Sequence, residues 1–490
     1  MEKTWHRFYD KGVPFEIDPP ENPLHRQLEK AARDFPQVTA TEFVGAQLTY
    51  QQLADHVSRF AASLSQLGVK PGDRVAIMLP NCPQTVISYY AVLSIGGVAV
   101  MTNPMYVERE MIHQFNDAGV KVLVGLDHLF PRIDKVWKET QVEHLVITSI
   151  RDYLPFPLNL LYPLKAKKQN LNMKIPYSGS IHPFKGLVKT SPGNPPRPEV
   201  DMDEVALLQY TGGTTGVAKG VMLTHNNLAV NVAQITTWLT DLRRGHERFL
   251  CVVPIFHVLG MTAVMNWPIC MGCTMTLVPR FEIKDFTESS PVTHVNPVKS
   301  KRKAGSIGIA LPSTDVRIMD LETGTKVEQV GQTGELAIKG PQVMKGYWNM
   351  PEETAETLKD GWLYTGDIAH IDEDGYVFIV DRKKDMIIAG GFNIYPRDID
   401  EVLYEHPKIV DAVTIGVPDE YRGETVKVFV VLKPGEALTE EEVIAHCKQK
   451  LAAYKVPRLV EFREELPKTM VGKVLRKELR AEELRKIKGQ

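Results

Sequence analysis

The sequence predicts an α/β protein. It expects a large N-terminal domain of mostly parallel sheets covered by helices, a β-rich subdomain, and a small α+β domain at the C-terminal end. Three observations lead there. Through residues 48–148, segments of helical apolar spacing alternate with short apolar runs, the pattern of a parallel sheet with helices packed on both faces. From residue 304, alternating segments at Asp315–Met319 and Gly334–Lys339 replace the helices. From residue 397, helix and strand patterns mix within one short stretch. At 490 residues the chain exceeds what one core fills, so two or more domains are expected.

Residues 48–69 place Leu53, Val57, Phe60, Leu64 and Leu67 at helical spacing, and 70–73 form a Lys-Pro-Gly-Asp turn. Arg74–Met78 is then a buried strand. Val86–Met101, interrupted by Gly96 and Gly97, is a helix, a turn and a strand; it is too short to span a bilayer. Val122–Gly125 and His144–Thr148 are further strands. Tyr153–Leu164 differs, mixing bulky apolar residues with three prolines, and Lys165, Lys167 and Lys168 follow. Prolines exclude a regular membrane-spanning helix. The segment 153–168 is either a surface that meets a membrane or a greasy substrate, or a loop packed on the domain body. Val205–Tyr210 and Cys273–Val278 have strand character, and a helix is expected from His225. Gly346–Asn349 is expected to close the β-rich subdomain. Beyond it come a helix at Asp398–Glu405, strands at Asp411–Val417 and Lys427–Leu432, a helix at Thr439–Leu451, and a tail.

Composition bounds the function. Hydrophobic residues make up 43% and charged residues 24%, ordinary for a globular protein, and a net charge of −2 implies no global attraction to nucleic acid. The five cysteines are odd in number and scattered, which argues against a disulfide framework. Cys270 and Cys273 have zinc-knuckle spacing, but no second pair completes a site. The first residues, MEKTWHRFYDKG, carry no apolar signal region. A reducing, cytoplasmic setting is expected. From Lys448 to Gln490, thirteen Lys and Arg face six Glu, so this end is locally basic: a solvated helix, or a contact for an anion such as CoA or lipid.

The stretch carrying most chemistry is Tyr210–Val221, YTGGTTGVAKGV, with four glycines, three threonines and one lysine in twelve positions. Glycine lets backbone turn tightly and approach a ligand. Threonine hydroxyls, backbone N–H groups and Lys219 can donate to phosphate oxygens. The order is not that of a Walker A loop, nor of a dinucleotide fingerprint. At these residues the chain resembles the adenylate-forming superfamily: acyl-CoA synthetases, nonribosomal-peptide adenylation domains and luciferases. The resemblance implies that Thr211, Gly212, Gly213, Thr214, Thr215, Gly216 and Lys219 hold the β- and γ-phosphates of ATP.

Further stretches carry the same resemblance. A histidine in an apolar run is usually a satisfied buried one; here the resemblance places Phe256 and His257 beside the acyl carboxylate. Asp367, after a glycine, is either a solvated turn residue or, by resemblance, the acceptor for the ribose hydroxyls. A charge run such as 381–385 is usually a solvated face. By resemblance it is a hinge, with Arg382 on ribose and phosphate, Lys384 the pivot, and Gly390 and Gly391 lining the CoA channel. This divides the chain into an adenylation domain, 1–381, and a mobile C-terminal lid, 382–490. Lys473, by resemblance, is the catalytic lysine of adenylation. Thr287 and Glu288 match the end of a Tyr-Gly-x-Thr-Glu pattern, Thr287 at ATP and Glu288 catalytic and holding Mg2+. The aromatic-Gly part and a long α/β stretch are missing, with the join near Phe286–Thr287. A βαβ unit takes ~30 residues, so more than one unit is expected to be absent, exposing strand edges.

The wording of 102–106 points to a fatty substrate, and that of 381–396 resembles long- and medium-chain fatty acyl-CoA synthetases, with the long-chain ligases the nearer match. The implied activity is ATP-dependent conversion of a fatty acid to acyl-AMP and then, with CoA, to acyl-CoA. The implied ligands are the fatty acid, ATP, CoA and Mg2+, with no nucleic acid. Alternatives are another acid–thiol ligase, using an aromatic or short-chain acid or a carrier-protein acceptor, and a catalytically impaired remnant. Chain-length preference, pathway and oligomeric state, a homodimer included, stay open.

Overall fold

The computed structural model describes residues 3–168, 173–211, 218–278, 292–321, 323–389, 392–419, 421–468 and 474–488. After helix Leu24–Asp34 (α1), strands Thr39–Phe43 (β1) and Ala46–Thr49 (β2) pair as an antiparallel hairpin. Thr49 starts helix Tyr50–Gln66 (α2) with a capping box: its hydroxyl accepts from the N–H of Gln52, and the Gln52 side chain accepts from the N–H of Thr49. The expected apolar stripe is buried at Leu53, Val57, Phe60 and Leu64. The chain continues through Arg74–Met78 (β3), Pro83–Ser94 (α3), Val98–Met101 (β4), Glu108–Ala118 (α4), Val120–Leu126 (β5), Phe130–Trp137 (α5) and His144–Thr148 (β6). Leu158–Lys168 (α6), Ile181–Pro183 (β7), Phe184–Thr190 (α7), Val205–Thr211 (β8), Lys219–Thr224 (β9) and His225–Trp238 (α8) follow. Then come Arg248–Cys251 (β10), Trp267–Cys270 (α9) and Thr274–Leu277 (β11). Among the described residues no helix is long and apolar enough to cross a membrane.

Among the described residues the central sheet has eight strands. β8, β4, β3, β5, β6 and β7 run parallel, and β9 pairs antiparallel on the outside of β8. Val75, Ala76, Ile77 and Met78 of β3 are all fully buried. Successive strand residues face opposite sides, so both faces of this sheet are covered, as the continuous apolar run predicts.

A second sheet has the order β10-β11-β1-β2, parallel from β10 through β1. Among the described residues β10 is its edge, and Leu250 on that strand is 60% exposed. Residues 279–291, which hold the join expected near Phe286–Thr287, lie outside the described residues.

Beyond them are His294–Val295 (β12), Ile309–Ala310 (β13), Asp315–Met319 (β14), Gly334–Lys339 (β15), Gly346–Tyr347 (β16), Pro351–Thr357 (α10), Leu358–Lys359 (β17), Trp362–Ile371 (β18) and Val377–Arg382 (β19). β14, β15, β18, β17 and β19 make the expected β-rich subdomain. β16 departs from expectation. It leaves this subdomain and pairs with β9, at Gly346↔Met222 and Tyr347↔Val221, becoming the eighth strand of the central sheet. The two ends of the chain's first part also meet here. Asp10, buried, accepts from the backbone N–H groups of Val298 (2.7 Å), Lys299 (2.9 Å) and Ser300 (2.6 Å), and from the Ser300 hydroxyl (2.6 Å).

The C-terminal region contains Ile387–Ala389 (β20), Phe392–Ile394 (β21), Pro396–Tyr404 (α11), Ile409–Asp419 (β22), Gly423–Leu432 (β23), Glu440–Lys450 (α12), Leu459–Phe462 (β24) and Arg476–Lys488 (α13). Its sheet carries α11 and α12 over one apolar cluster, with Ile399, Leu403, Val428 and Val443. A second cluster joins Val413, Ile415, Phe429 and Leu479. The expected tail is thus a strand and a packed helix. α13 is mostly charged and contributes Leu479 to the core, and its Glu483 is buried 2.6 Å from Lys427. Lys427, itself buried, also meets Glu461 at 2.7 Å.

Removing one partner of a buried ion pair leaves an uncompensated charge. Lys427→Ala is therefore expected to cost about 3–5 kcal/mol, read as a lower urea midpoint. Burial pushes the Glu461 carboxyl up, but Lys427, Lys486 and Arg463 outweigh it and hold it at about 2, below the ordinary 4.5. A folded value below the unfolded one stabilises above pH 4.5, and that contribution is lost as pH falls toward 2. The gap between parent and Lys427→Ala should therefore be widest at neutral pH and shrink below 4.5.

Candidate active site

The β8–β9 hairpin frames the glycine–threonine loop. Its register ends at Tyr210↔Gly220 and Thr211↔Lys219, and residues 212–217 lie outside the described residues, as does the Thr211 side chain. The loop therefore joins two antiparallel strands rather than opening a helix. Several contacts fix its two feet. The Tyr210 hydroxyl donates to Asp117 on α4. Burial, and then the Asp117 carboxylate, push that phenol up. Gly220 packs under the Tyr210 ring, where an added Cβ would meet ring carbon at 3.0 Å. Trp348 N–H donates to the Gly220 carbonyl at 2.7 Å, and Lys345 N–H to that of Met222 at 3.0 Å, so β16 clamps β9 from outside. His113 lies 3.0 Å from the Ala218 carbonyl. Lys219 projects beside the Tyr347 ring, 5.2 Å from its centre, and lies 4.0 Å from Glu353 on α10.

The adjacent strand residue ties the hairpin to the Phe256–His257 segment: the Gln209 side-chain amide donates to the Phe256 carbonyl at 3.0 Å. Asn81, buried at the end of β3, holds the same segment from below. Its amide donates to the carbonyls of Cys251 and Val253, both at 2.9 Å, and its oxygen accepts from the N–H of Ile255 at 2.8 Å. The Phe256 and His257 rings lie 4.7 Å apart, Phe256 half-buried and His257 exposed. A π-helical turn, Gly260–Asn266, follows. A Cβ on Gly260 would fall 2.2 Å from the Pro254 carbonyl oxygen, so the backbone passes there at glycine's closest approach.

Asp367 and Arg382 are brought together. They are directly opposed on β18 and β19, with Arg382 Nε 2.5 Å from the Asp367 carboxylate. Glu335 braces this corner. It accepts from the N–H of Gly366 at 3.2 Å and from Lys383 at 2.7 Å. Gly366 has φ +72°, which turns the strand toward Asp367. Asp381, next to Arg382 on the strand, is buried, and burial pushes its carboxyl up. It accepts from Arg382 N–H (2.7 Å) and from Arg397 N–H in the first turn of α11 (2.9 Å). Lys384 is exposed in the turn between β19 and β20.

Lys219, His257, Asp367, Arg382 and Lys384 are thus placed. Gly212, Gly213, Thr214, Thr215, Gly216, Thr287, Glu288, Gly390, Gly391 and Lys473 lie outside the described residues. The braces Asn81, Asp117, Gln209 and Glu335 have no sequence signal beyond being polar; Asn81 alone precedes a proline turn. Cys270 and Cys273 are buried thiols, Cys270 pushed up to about 12 by burial, and neither belongs to a metal-binding cluster among the described residues.

Two family models match: AMP-binding enzyme, at residues 28–286 and 285–348, and AMP-binding enzyme C-terminal domain, at 398–473. The chain belongs to the AMP-binding enzyme family. Its relatives include the long-chain-fatty-acid–CoA ligase of Bacillus subtilis strain 168, 44% identical with 98% of each chain covered. That of Yersinia pestis is 38% identical with 99% of each covered. Among solved structures, ATP-bound MatB from Rhodopseudomonas palustris superposes with a TM-score of 0.81 at 26% identity, covering 94% of this chain and 98% of that one. This bears out the α/β architecture of a large first domain and a smaller second one. The two AMP-binding matches meet at 285 and 286, and the Bacillus alignment runs over 552 positions against 490 residues here.

Asn81 must donate twice and accept once. In Asn81→Asp a carboxylate would face two carbonyls, so a loss of at least about 2 kcal/mol is expected. Urea unfolding measures it, and limited proteolysis should show new cleavage within 252–256.

Proposed function

We propose that the chain activates a fatty acid in two steps. A carboxylate oxygen attacks the α-phosphorus of ATP, and the bond to pyrophosphate breaks. CoA thiolate then attacks the acyl carbon, and the bond to AMP breaks. Adenylation replaces oxide, a poor leaving group, with AMP. The observation that carries this reading is the Asp367–Arg382 pair at the mouth of a hinge-like turn, in a chain with relatives along its whole length that are long-chain ligases.

In this reading Thr211 to Gly216 and Lys219 hold the ATP phosphates, with Thr287 beside them. Asp367 accepts from the ribose hydroxyls and Arg382 donates to ribose and phosphate. Phe256 and His257 border the carboxylate. Lys473 places positive charge where negative charge develops during adenylation. The division at 381/382, with Lys384 as pivot, lets one small domain withdraw Lys473 and bring in Gly390 and Gly391 for CoA. That Arg382 ends β19 and a turn follows supports this division.

Magnesium takes one or two carboxylates together with substrate phosphates. Among the described residues no three His, Cys, Asp or Glu gather into a metal site, and Glu288, the carboxylate that the resemblance points to, lies outside them. Glu288 would be its protein ligand, and the ion would neutralise phosphate charge.

A second reading, a member impaired in adenylation, is favoured by one set of observations: the abutting matches at 285–286, the longer alignment, and β10 standing at a sheet edge among the described residues with Leu250 exposed. A block missing at 286/287 accounts for all three. Palmitate-dependent exchange of labelled pyrophosphate into ATP decides between the readings. Exchange is expected; its absence from a soluble, cooperatively melting protein supports the impaired form. If exchange occurs, Lys473→Ala should abolish it while leaving CoA attack on supplied palmitoyl adenylate largely intact. Equal loss of both steps overturns the role given to Lys473. Under the same reading the segment 153–168 meets lipid.

A further inference from the structure

Helix α6 is inside out. On a surface helix the leucines normally face the core and the polar residues face water. Here Asn159 and Tyr162 are partly buried and Ala166 is 3% exposed, so these residues face the body. At 100° per residue they fall on one arc of the helix. Leu160, Leu161 and Leu164 lie on the opposite arc, 60%, 52% and 65% exposed. Phe156, just before the helix, is 78% exposed. Beneath α6 lies a cavity of about 390 Å³ with polar walls, among them Asp127, Thr148, Asp152, Asn159, Tyr162 and Tyr177. Pro163, within the helix, does not prevent this short element from forming.

Scattered apolar residues are normal on a protein surface, whereas a cluster of large ones marks a contact. The charge around the cluster is one-sided. Residues 154–168 contain no Asp or Glu, and the sequence of the last turn supplies Lys165, Lys167 and Lys168. Lys167 is exposed, as is Lys174 nearby in the chain.

We propose that the outward face of α6, with Phe156, is a docking surface for an anionic lipid bilayer. The leucines enter the boundary between headgroups and acyl chains, and Lys167 and Lys174 meet headgroup phosphates. Eleven residues rise about 16 Å, half a hydrocarbon core, so the helix lies in the surface and does not cross it. A second copy of the chain is the poorer occupant. A two-fold contact sets the same patch against itself, which would oppose lysine with lysine. The surface deepens the fatty-acid reading and rests on it only for purpose, namely collecting an acid that dissolves in membranes.

The test uses the purified full chain and vesicles of phosphatidylcholine alone or mixed equally with phosphatidylglycerol. Co-sedimentation with the mixed vesicles at low salt is expected, at least about tenfold weaker on phosphatidylcholine alone. Leu160→Ser, Leu161→Ser and Leu164→Ser made together should weaken binding to mixed vesicles by about tenfold or more at unchanged melting temperature, because these side chains are already exposed. Binding that survives this triple change overturns the proposal, as does failure of the parent chain to bind mixed vesicles. So does a concentration-dependent dimer that the triple change abolishes. Loss of pyrophosphate exchange with vesicle binding intact overturns the fatty-acid reading and leaves the surface standing.

Discussion

The antiparallel pairing of β9 on β8 is the contact on which the site depends. β8 is fixed on its other side by β4, inside a parallel sheet with no freedom to shift, and β16 closes β9 from outside. Strand side chains alternate, so a slip of β9 by one residue would exchange the faces of Lys219 and Gly220. Lys219 would leave the Tyr347 ring, and a side chain would take the place of Gly220 under the Tyr210 ring. Register here sets the feet of the loop 212–217, and β8 itself holds the segment bearing His257 through Gln209.

The same alternation organises the end of β19. Arg382 turns toward Asp367, while Asp381 turns away and caps the first turn of α11. Arg397 adds a second bond, to the Ile379 carbonyl at 3.1 Å. One strand end thus supplies a site residue and a fastening for the C-terminal region. A rotation of that region would exchange these bonds for others, and the buried Asp381 carboxyl, already pushed up by its surroundings, would have to find new donors.

What the sequence made legible follows from how local each signal is. The strands Arg74–Met78, Val122–Gly125 and His144–Thr148 stand out because both their faces are buried, so the apolar run is unbroken. α2 shows its stripe and its capping box within a few residues. Asn81, Gln209 and Glu335 are illegible because their partners lie 47 or more positions away for Asn81 and Gln209, and about 30 to 50 away for Glu335. β16 misleads because Gly346 and Tyr347 carry no mark of which sheet edge they will join. α13 hides its packing in charge: Glu483 looks solvated until Lys427 is seen beneath it. In 153–168 the prolines and leucines fit both a lipid-facing surface and a packed loop, because a helix facing the wrong way has no distinctive period.

Asp10 has a consequence for the order of events during synthesis. It is made well before its donors, all four of which belong to residues 298–300. Nearly three hundred residues must be made before that carboxylate finds its ligands, and closing so long a loop is slow compared with forming helices and hairpins. The nascent chain therefore carries the stretch around Asp10 untied while the central sheet assembles. That stretch ties off only when the β-rich part emerges, so residues made early are among the last to lock.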